Sequence, residues 1–337
     1  MIESVKFENF KVLRDAVLPL SRLTLLVGPN GSGKSTAIQG LRGASTPEKW
    51  SHQQVISAAL RNSADPPAVR ISAMWQSSSE RQKVSIAEWK AGAPRGSRME
   101  RGLTPLDSKK LSSLRFFAFE ASRVASTVQL SPSAEMESDG ANLVVVMDRL
   151  RDRNPERFEA LNMELRAWMP EFDRILFETP HPGMRSFQLR ARVGHHTIDA
   201  ADLSQGTVFA LAVLTLAYIA APPAILCLEE PDRGIHPRLL RDIKDALYRL
   251  AYPESCGEKR DPVQVVATTH SPYLLDLFRD HPEEVVICEK LIEEREREHN
   301  IRFTRLSDRS DLDQILQDAH LGDAWYSGVL GGVPDNR

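Results

Sequence analysis

The apolar positions of residues 1–45 fall into short strand-like runs and then a helical one. Ser4–Phe7 alternates, Ala16–Leu20 follows a polar turn, and Leu23–Val27 is continuously apolar, as in a strand buried on both faces. Gly and Asn punctuate the chain next, and a helix is predicted from about Lys34. The texture then changes. Residues 46–120 are rich in Ser, Arg, Gln and Pro around two predicted strands, Val69–Trp75 and Lys83–Trp89; a loose basic segment and a third strand, Leu114–Phe119, follow. Residues 121–199 open on a polar loop, Ser131–Gly140, and carry predicted helices at Asn142–Arg151 and Pro155–Trp168 and strands near Arg174–Glu178 and Ser186–Val193. Strand and helix patterns alternate again from residue 200: helix 205–220, strand Ala224–Leu228, helix Pro237–Leu250, strand Val263–Thr268, a short helix from Pro272 and strand Glu284–Cys288. The charged run Ile292–Glu298 reads as a solvated hairpin or loop tip, and no internal repeat is visible.

Such alternation predicts an α/β fold with a mixed, mainly parallel sheet flanked by helices. Its opening βα unit is of nucleotide-binding type, and the same texture resumes only near residue 200. The expected division is therefore a core made of 1–45 and 200–337 with an inserted region, 46–199, between. Within the insertion, 46–120 is expected to be a β-rich lobe and 121–199 a mainly helical one.

Composition narrows the picture a little. The 337 residues suit about two domains or lobes, and 42% hydrophobic residues suffice for a large core. A net charge of −3 means that no nucleic acid or acidic membrane is demanded by the whole chain. The start, Met1-Ile-Glu-Ser-Val-Lys, lacks the apolar stretch of a signal peptide. The most apolar run, Val208–Leu228, is interrupted by Thr215, Tyr218 and Pro222-Pro223, which favours a buried helix and strand over a membrane span. Cys227, Cys256 and Cys288 form neither a disulfide frame nor a zinc spacing, so a cytoplasmic protein without a membrane partner is expected. Charge is uneven, however: Arg81–Arg115 holds nine Lys or Arg against three acids. This stretch is either a solvated loop or a nucleic-acid surface.

Four motifs carry candidate chemistry. Gly28-Pro-Asn30-Gly31-Ser32-Gly33-Lys34-Ser35-Thr36 fits the phosphate-loop pattern, whose glycines turn backbone N–H groups inward at a helix N-terminus. Lys34 would then reach the β- and γ-phosphates of ATP, and the Ser35 hydroxyl would hold Mg²⁺. The apolar strand Ala224–Leu228 ends in Glu229-Glu230-Pro231, which places carboxylates for Mg²⁺ (Glu229) and for the attacking water (Glu230) at a strand's C-terminal edge. A second apolar strand ends in Thr-Thr-His270-Ser271, and His270 follows Glu230 by one helix and one strand, so it can sense a γ-phosphate. Asp202-Leu-Ser204-Gln205-Gly206-Thr207 opens the helix ahead of the two-carboxylate strand; Ser204 suits an N-cap, and Gly206 admits an oxygen close to the helix start. Read locally, that last motif is simply a capped helix.

In this order the motifs resemble the ABC-type ATPases, in particular the SMC/RecF-like branch and the ATPase part of overcoming-lysogenisation-defect (OLD) proteins. The opening Ile2-Glu-Ser-Val-Lys-Phe-Glu-Asn-Phe10-Lys11, the run Glu-Glu-Pro-Asp232-Arg-Gly-Ile-His236-Pro, Thr-Thr-His270-Ser-Pro and the ending Leu321–Gly332 all carry the resemblance. The insertion matches loosely, through Asp139–Leu143. The resemblance implies an ABC-ATPase head and a homodimer that forms with ATP. Ser204 and Gly206 would contact the γ-phosphate held by the second copy, Asp232 would link the two sites, and Lys11 would border the nucleotide. Gln205 and Thr207 depart from the Leu-Ser-Gly-Gly-Gln form of transporters and come closer to the Leu-Ser-Asp-Gly-Thr form of stand-alone prokaryotic ATPases. Gln76 and Gln82 are equal candidates for the glutamine that such sites carry on a loop. Asp311-Leu-Asp313 has the spacing of a metal pair but reads as the start of a small helix, and no heptad arm is present.

The reading reached is an ATP hydrolase, with Lys34, Glu230 and His270 at the reaction. Its dimer closure would regulate a separate effector, a nuclease or toxin, in a prokaryotic antiviral defence system. The alternative is a RecF-like DNA-repair ATPase that binds nucleic acid through Arg81–Arg115.

Overall fold

A computed structural model of the chain describes residues 1–77, 82–131, 135–293, 298–318 and 320–331. Arg81 of the basic stretch, 132–134 of the polar loop, 294–297 of the charged run and Gly332 lie outside the described residues. Two compact units make up the chain: Met1–Phe116 with Pro223–Cys227 and Asp261–Arg337, and Phe117–Pro222 with Leu228–Arg260.

The first passage contains strands β1 (Ile2–Phe10), β2 (Leu13–Pro19) and β3 (Leu23–Val27), then helices α1 (Lys34–Ser45) and α2 (His52–Val55). It continues through β4 (Val69–Trp75), β5 (Lys83–Trp89), β6 (Ser97–Arg101), α3 (Pro105–Ser112) and β7 (Arg115–Phe117). The middle holds α4 (Ala121–Val124), β8 (Val128–Gln129), α5 (Leu143–Arg153), α6 (Pro155–Trp168), β9 (Phe172–Glu178), β10 (Met184–Ala191), β11 (Thr197–Asp199) and α7 (Gln205–Tyr218). After β12 (Ile225–Leu228) and α8 (Leu240–Ala251) come β13 (Gln264–Thr269), α9 (Pro272–Asp276), β14 (Val285–Glu293), β15 (Glu298–Arg305), α10 (Leu312–Asp318) and α11 (Leu321–Tyr326).

In the first unit an antiparallel sheet runs β2-β1-β4-β5-β6, and a mixed sheet runs β15-β14-β3-β13-β12-β7. Residues 46–116 thus share a unit with 1–45, a division different from the core-and-insertion expectation. The physical reason is long-range pairing: β1 lies antiparallel to β4, with Phe7 opposite Ile71. Helix α1 packs on β1, β4 and β5 of one sheet and on β13 of the other. Its two internal glycines would cost a free helix about 1 kcal/mol each. Here Gly40 lies against the Phe7 ring and Gly43 against Trp89, where side chains would not fit without displacement at Gly40. The β3 strand is buried at all five positions and pairs in parallel with β13 and β14. Gln264, at the start of β13, is buried but satisfied: its amide exchanges bonds with Ile2 N–H (3.0 Å) and C=O (2.6 Å) and donates to the Ser21 carbonyl (3.0 Å). Strands β14 and β15 pair antiparallel as far as Glu293 and Glu298.

The second unit is organised around α7, buried from Val208 to Tyr218 on every side. A helix apolar all round must be a core helix, and α4, α6 and α8 surround it. Helix α8 is amphipathic instead and buries Leu240, Ile243, Leu247 and Leu250. A small sheet centred on β10 pairs with β9, β11 and β8. Among the described residues no helix is long and apolar enough to cross a membrane.

Candidate functional site

In the first unit, β3 delivers the chain into the phosphate-loop sequence between two neighbours. Val27 pairs with Thr269 of β13 on one side and with Ile287 of β14 on the other. Gly28 therefore emerges between Cys288 and His270, the next residues beyond those pairs. A Cβ at Gly28 would lie 2.5 Å from the Cys288 carbonyl and 2.6 Å from Ser32 Oγ, so only glycine fits. Gly31 and Gly33 have φ of +79° and +87°, the left-handed region that side chains avoid. Gly33 caps α1 without any side-chain bond, and the first helical bond runs from Ala37 N–H to the Gly33 carbonyl at 2.8 Å. The N–H groups ahead of it are directed out of the helix end.

Lys34 is 5% exposed, and its ammonium donates to the carbonyls of Gly28 (2.7 Å) and Pro29 (2.9 Å). Ser32 Oγ is buried without a hydrogen-bond partner. A buried hydroxyl left over, an ammonium resting on loop carbonyls and a helix end rich in N–H groups fit a phosphate chain. Asn30, Gly31 and Ser35 are exposed and Thr36 is half-buried, so solvent reaches the loop at these positions. His270 sits in a pinned turn: Thr269 Oγ1 accepts from Ser271 N–H (2.9 Å), and Ser271 Oγ accepts from Leu274 N–H (3.2 Å) to cap α9. Lys11 occupies the β1–β2 turn at φ +48° and donates to Gln39 Oε1 of α1 at 2.7 Å. Burial, with Arg61 second, pulls its ammonium below the usual lysine range.

In the second unit the Glu229 N–H donates to the Phe117 carbonyl at 2.9 Å, while Glu229 Oε1 is buried without a hydrogen-bond partner. A buried carboxylate oxygen in that condition fits a hydrated cation such as Mg²⁺. Glu230 adopts φ +45°, a strained conformation for a side-chain-bearing residue. Phe119, Phe209, Val213, Glu229, Glu230 and Arg233 line a cavity of about 240 Å³. Turns close behind the carboxylates through Arg233 N–H to the Glu230 carbonyl (3.0 Å) and Ile235 N–H to the Asp232 carbonyl (3.2 Å). Ser204 is exposed and caps α7, accepting from Thr207 N–H at 3.1 Å. The oxygen that approaches Gly206 is one of the chain's own. A Cβ there would lie 2.5 Å from the carbonyl of Gly234, itself at φ +66°.

Other candidates lie elsewhere or are spoken for. Gln76 and Gln82 flank the β4–β5 turn, where Gln76 N–H bonds the Met1 carbonyl at the end of β1 remote from Lys11. Both Asp311 oxygens accept from the Arg309 guanidinium, at 2.9 and 2.8 Å, so an Asp311–Asp313 metal pair has no support. Among the described residues no cluster of three or more metal-ligating side chains occurs. In the basic stretch Lys83 pairs with Asp107, Lys90 with Glu88 and Arg98 with Glu100, so each of its acids already neutralises a cation. The sequence gives no sign of a site role for Gln39, Phe119 or Phe209, and it shows Arg233 and Gly234 only as part of the run from Glu229 to Pro237.

Comparison with known proteins points to an ATPase. Residues 91–276 match a family model described as "AAA domain, putative AbiEii toxin, Type IV TA system", and residues 1–56 match one described as "AAA ATPase domain". The chain is similar to an OLD nuclease of Thermus scotoductus, 22% identical over 369 residues that span 96% of this chain and 68% of that protein. Among solved structures it is similar to an SMC head bound to the C-terminal winged-helix domain of ScpA. That likeness has a TM-score of 0.60 at 16% identity and covers 90% of this chain and 98% of that one, which establishes an SMC-head-like ABC-ATPase fold.

Proposed function

The chain belongs to the AAA-domain ATPase family whose model covers residues 91–276, and from that premise we propose that two copies close head-to-tail on ATP and so gate a separate effector protein. The observation that carries this reading is the phosphate loop leaving β3 between β13 and β14, with His270 beyond the adjoining strand end. In the reaction, the N–H groups of Asn30, Gly31 and residues 33–36, the Ser32 hydroxyl and the Lys34 ammonium hold the β- and γ-phosphates, and Lys11 borders the nucleotide. The Ser35 hydroxyl and the Glu229 carboxylate are the groups that would hold Mg²⁺. Bound Mg²⁺ supplies positive charge against the phosphate oxygens. Glu230 accepts a proton from the water that attacks the γ-phosphorus, and the bond to the ADP oxygen breaks. His270 and Lys34 stabilise the charge that gathers on the γ-phosphoryl oxygens. Ser204 and Gly206 present α7 to the γ-phosphate held by the second copy, and Asp232, two residues beyond Glu230, links one site to the other.

The family description mentions a toxin system and the relative is called a nuclease. Both support an effector of that kind, in a cytoplasmic prokaryotic defence setting. The test is the solution mass of a Glu230→Gln chain with and without Mg²⁺-ATP. The expected result is a shift from monomer to dimer on adding nucleotide, with turnover reduced about 10²- to 10⁴-fold. A mass that stays monomeric at saturating ATP would remove head-to-tail closure from the reading.

A further inference from the structure

We propose that Thr207 is a positioning residue that turns the Ser204 hydroxyl into an outward-facing hydrogen-bond donor for the second copy's γ-phosphate; this rests on the closure reading above.

Serine has one O–H donor and two acceptor lone pairs. One Ser204 lone pair is taken by the Thr207 backbone N–H at 3.1 Å. Thr207 Oγ1 lies 2.8 Å from the same oxygen, close enough for either hydroxyl to donate. The arrangement that lets Ser204 donate to a phosphate oxygen outside the helix end is one of the two open to this pair of hydroxyls. In it, Thr207 O–H donates to Ser204 Oγ and fills the second lone pair, and the Ser204 proton has nowhere to point but outward. The chain of donors then polarises the Ser204 O–H and strengthens it toward an anion. Ser204 is exposed, as a residue that meets another molecule must be.

The type of residue at this position is what gives the effect. Thr207 is the third helical residue of α7, where a capping box would place Glu or Gln. A Gln side chain there reaches back to the backbone N–H of the cap. The shorter threonine reaches the cap's hydroxyl instead. The departure from the transporter signature thus has a local purpose: it moves the second capping bond from the backbone onto the group that faces the phosphate.

The test uses the full chain in the Glu230→Gln background, so that ATP persists. Thr207→Val keeps the β-branch and removes the hydroxyl, Thr207→Ser keeps the hydroxyl, and Ser204→Ala removes the donor. Two quantities are read: affinity of the isolated subunit for a fluorescent ATP analogue, and the ATP concentration at half-maximal pairing. The expected result for Thr207→Val is unchanged subunit affinity with a pairing midpoint raised about five- to tenfold, and recovery in Thr207→Ser. Should the valine chain not fold, Thr207→Ala takes its place against the same serine control. Normal pairing of Thr207→Val beside lost pairing of Ser204→Ala overturns the role of Thr207 alone. Equal loss in the serine and valine chains overturns it as well, because the methyl group would then be what matters. Normal pairing of Ser204→Ala overturns the nucleotide contact itself and this inference with it.

Discussion

Helices α1 and α7 both begin at residues proposed to meet a γ-phosphate, α1 that of its own nucleotide and α7 that of the second copy, yet their N-termini are built by opposite means. At α1 the cap is Gly33, left-handed and without a side-chain bond, and the preceding loop is buried at Gly28, Ser32 and Gly33. At α7 the cap is an exposed serine whose hydroxyl already bonds Thr207 N–H. The first end offers backbone N–H groups and an ammonium in a shape that only glycines can take. The second has used part of its backbone capacity internally and offers a side-chain hydroxyl. That difference suits the two proposed roles, a loop that holds the chain's own nucleotide and a surface that meets and leaves another molecule's.

The comparison breaks most easily at Gly33. An alanine there must adopt φ near +87°, and its Cβ would sit 3.2 Å from Ile301 Cγ2 and Leu13 Cδ2. The left-handed conformation costs a side-chain-bearing residue about 1–2 kcal/mol, and relief would rotate the N–H groups away from the phosphates. Gly33→Ala is expected to lower ATP affinity about a hundredfold, measured by titration with a fluorescent nucleotide, while the melting temperature shifts by a few degrees at most. Affinity within threefold of the parent would show that the loop tolerates ordinary backbone and that the contrast with α7 is unfounded.

How much of this was legible in the sequence follows the same line. The phosphate loop and its strand were readable because they are local: a continuous apolar run, fixed glycine spacing and an immediate helix. The all-round apolar pattern of residues 208–218 likewise announced a buried helix, and Val69–Trp75 and Lys83–Trp89 form strands with the predicted bounds. Hidden were the elements whose cause lies far away or outside periodicity. β6 is an edge strand, exposed at Ser97 and from Met99 to Arg101, so it shows no alternation. α3 announces itself only through a capping box, Thr104 with Asp107 and Pro105 between, inside what reads as a loose basic segment. The pairing of β1 with β4, which assigns residues 46–116 to the first unit, has no local signature at all.

Gly206 is the position where the ligand reading of its missing side chain and the structure part. A ligand oxygen was the expected reason for its missing side chain, and the Gly234 carbonyl supplies another. Gly206→Ala should therefore destabilise the protein even without nucleotide, by roughly 1–3 kcal/mol, since the new Cβ faces a backbone atom that cannot rotate away. Thermal melts of the nucleotide-free protein check this. An unchanged melting temperature together with lost pairing would restore the ligand as the sole reason for glycine and make α7 more like α1.

The far end of α7 gives a smaller, pH-dependent contrast. Tyr218 is buried on the last turn, its hydroxyl bonds Glu164 Oε2 at 3.3 Å, and the Arg249 guanidinium lies 4.2 Å from its ring centre. Burial pushes the phenol up to about 12 from its ordinary value of 10.0. Between those values the folded state keeps the proton and the unfolded state releases it. The unfolded chain then binds fewer protons, so stability is intact below pH about 10 and falls as pH rises toward 12. Tyr218→Phe removes the ionisable group, and its melting temperature should decline less steeply than the parent's across that window. The effect amounts to a few degrees at most, because the hydroxyl is a single group whose bond to Glu164 is long. A constant difference between the two chains across the window would mean that the phenol is as hydrated in the folded state as in the unfolded one. The apolar enclosure of α7 that sets it apart from α1 would then be incomplete at its C-terminal turn.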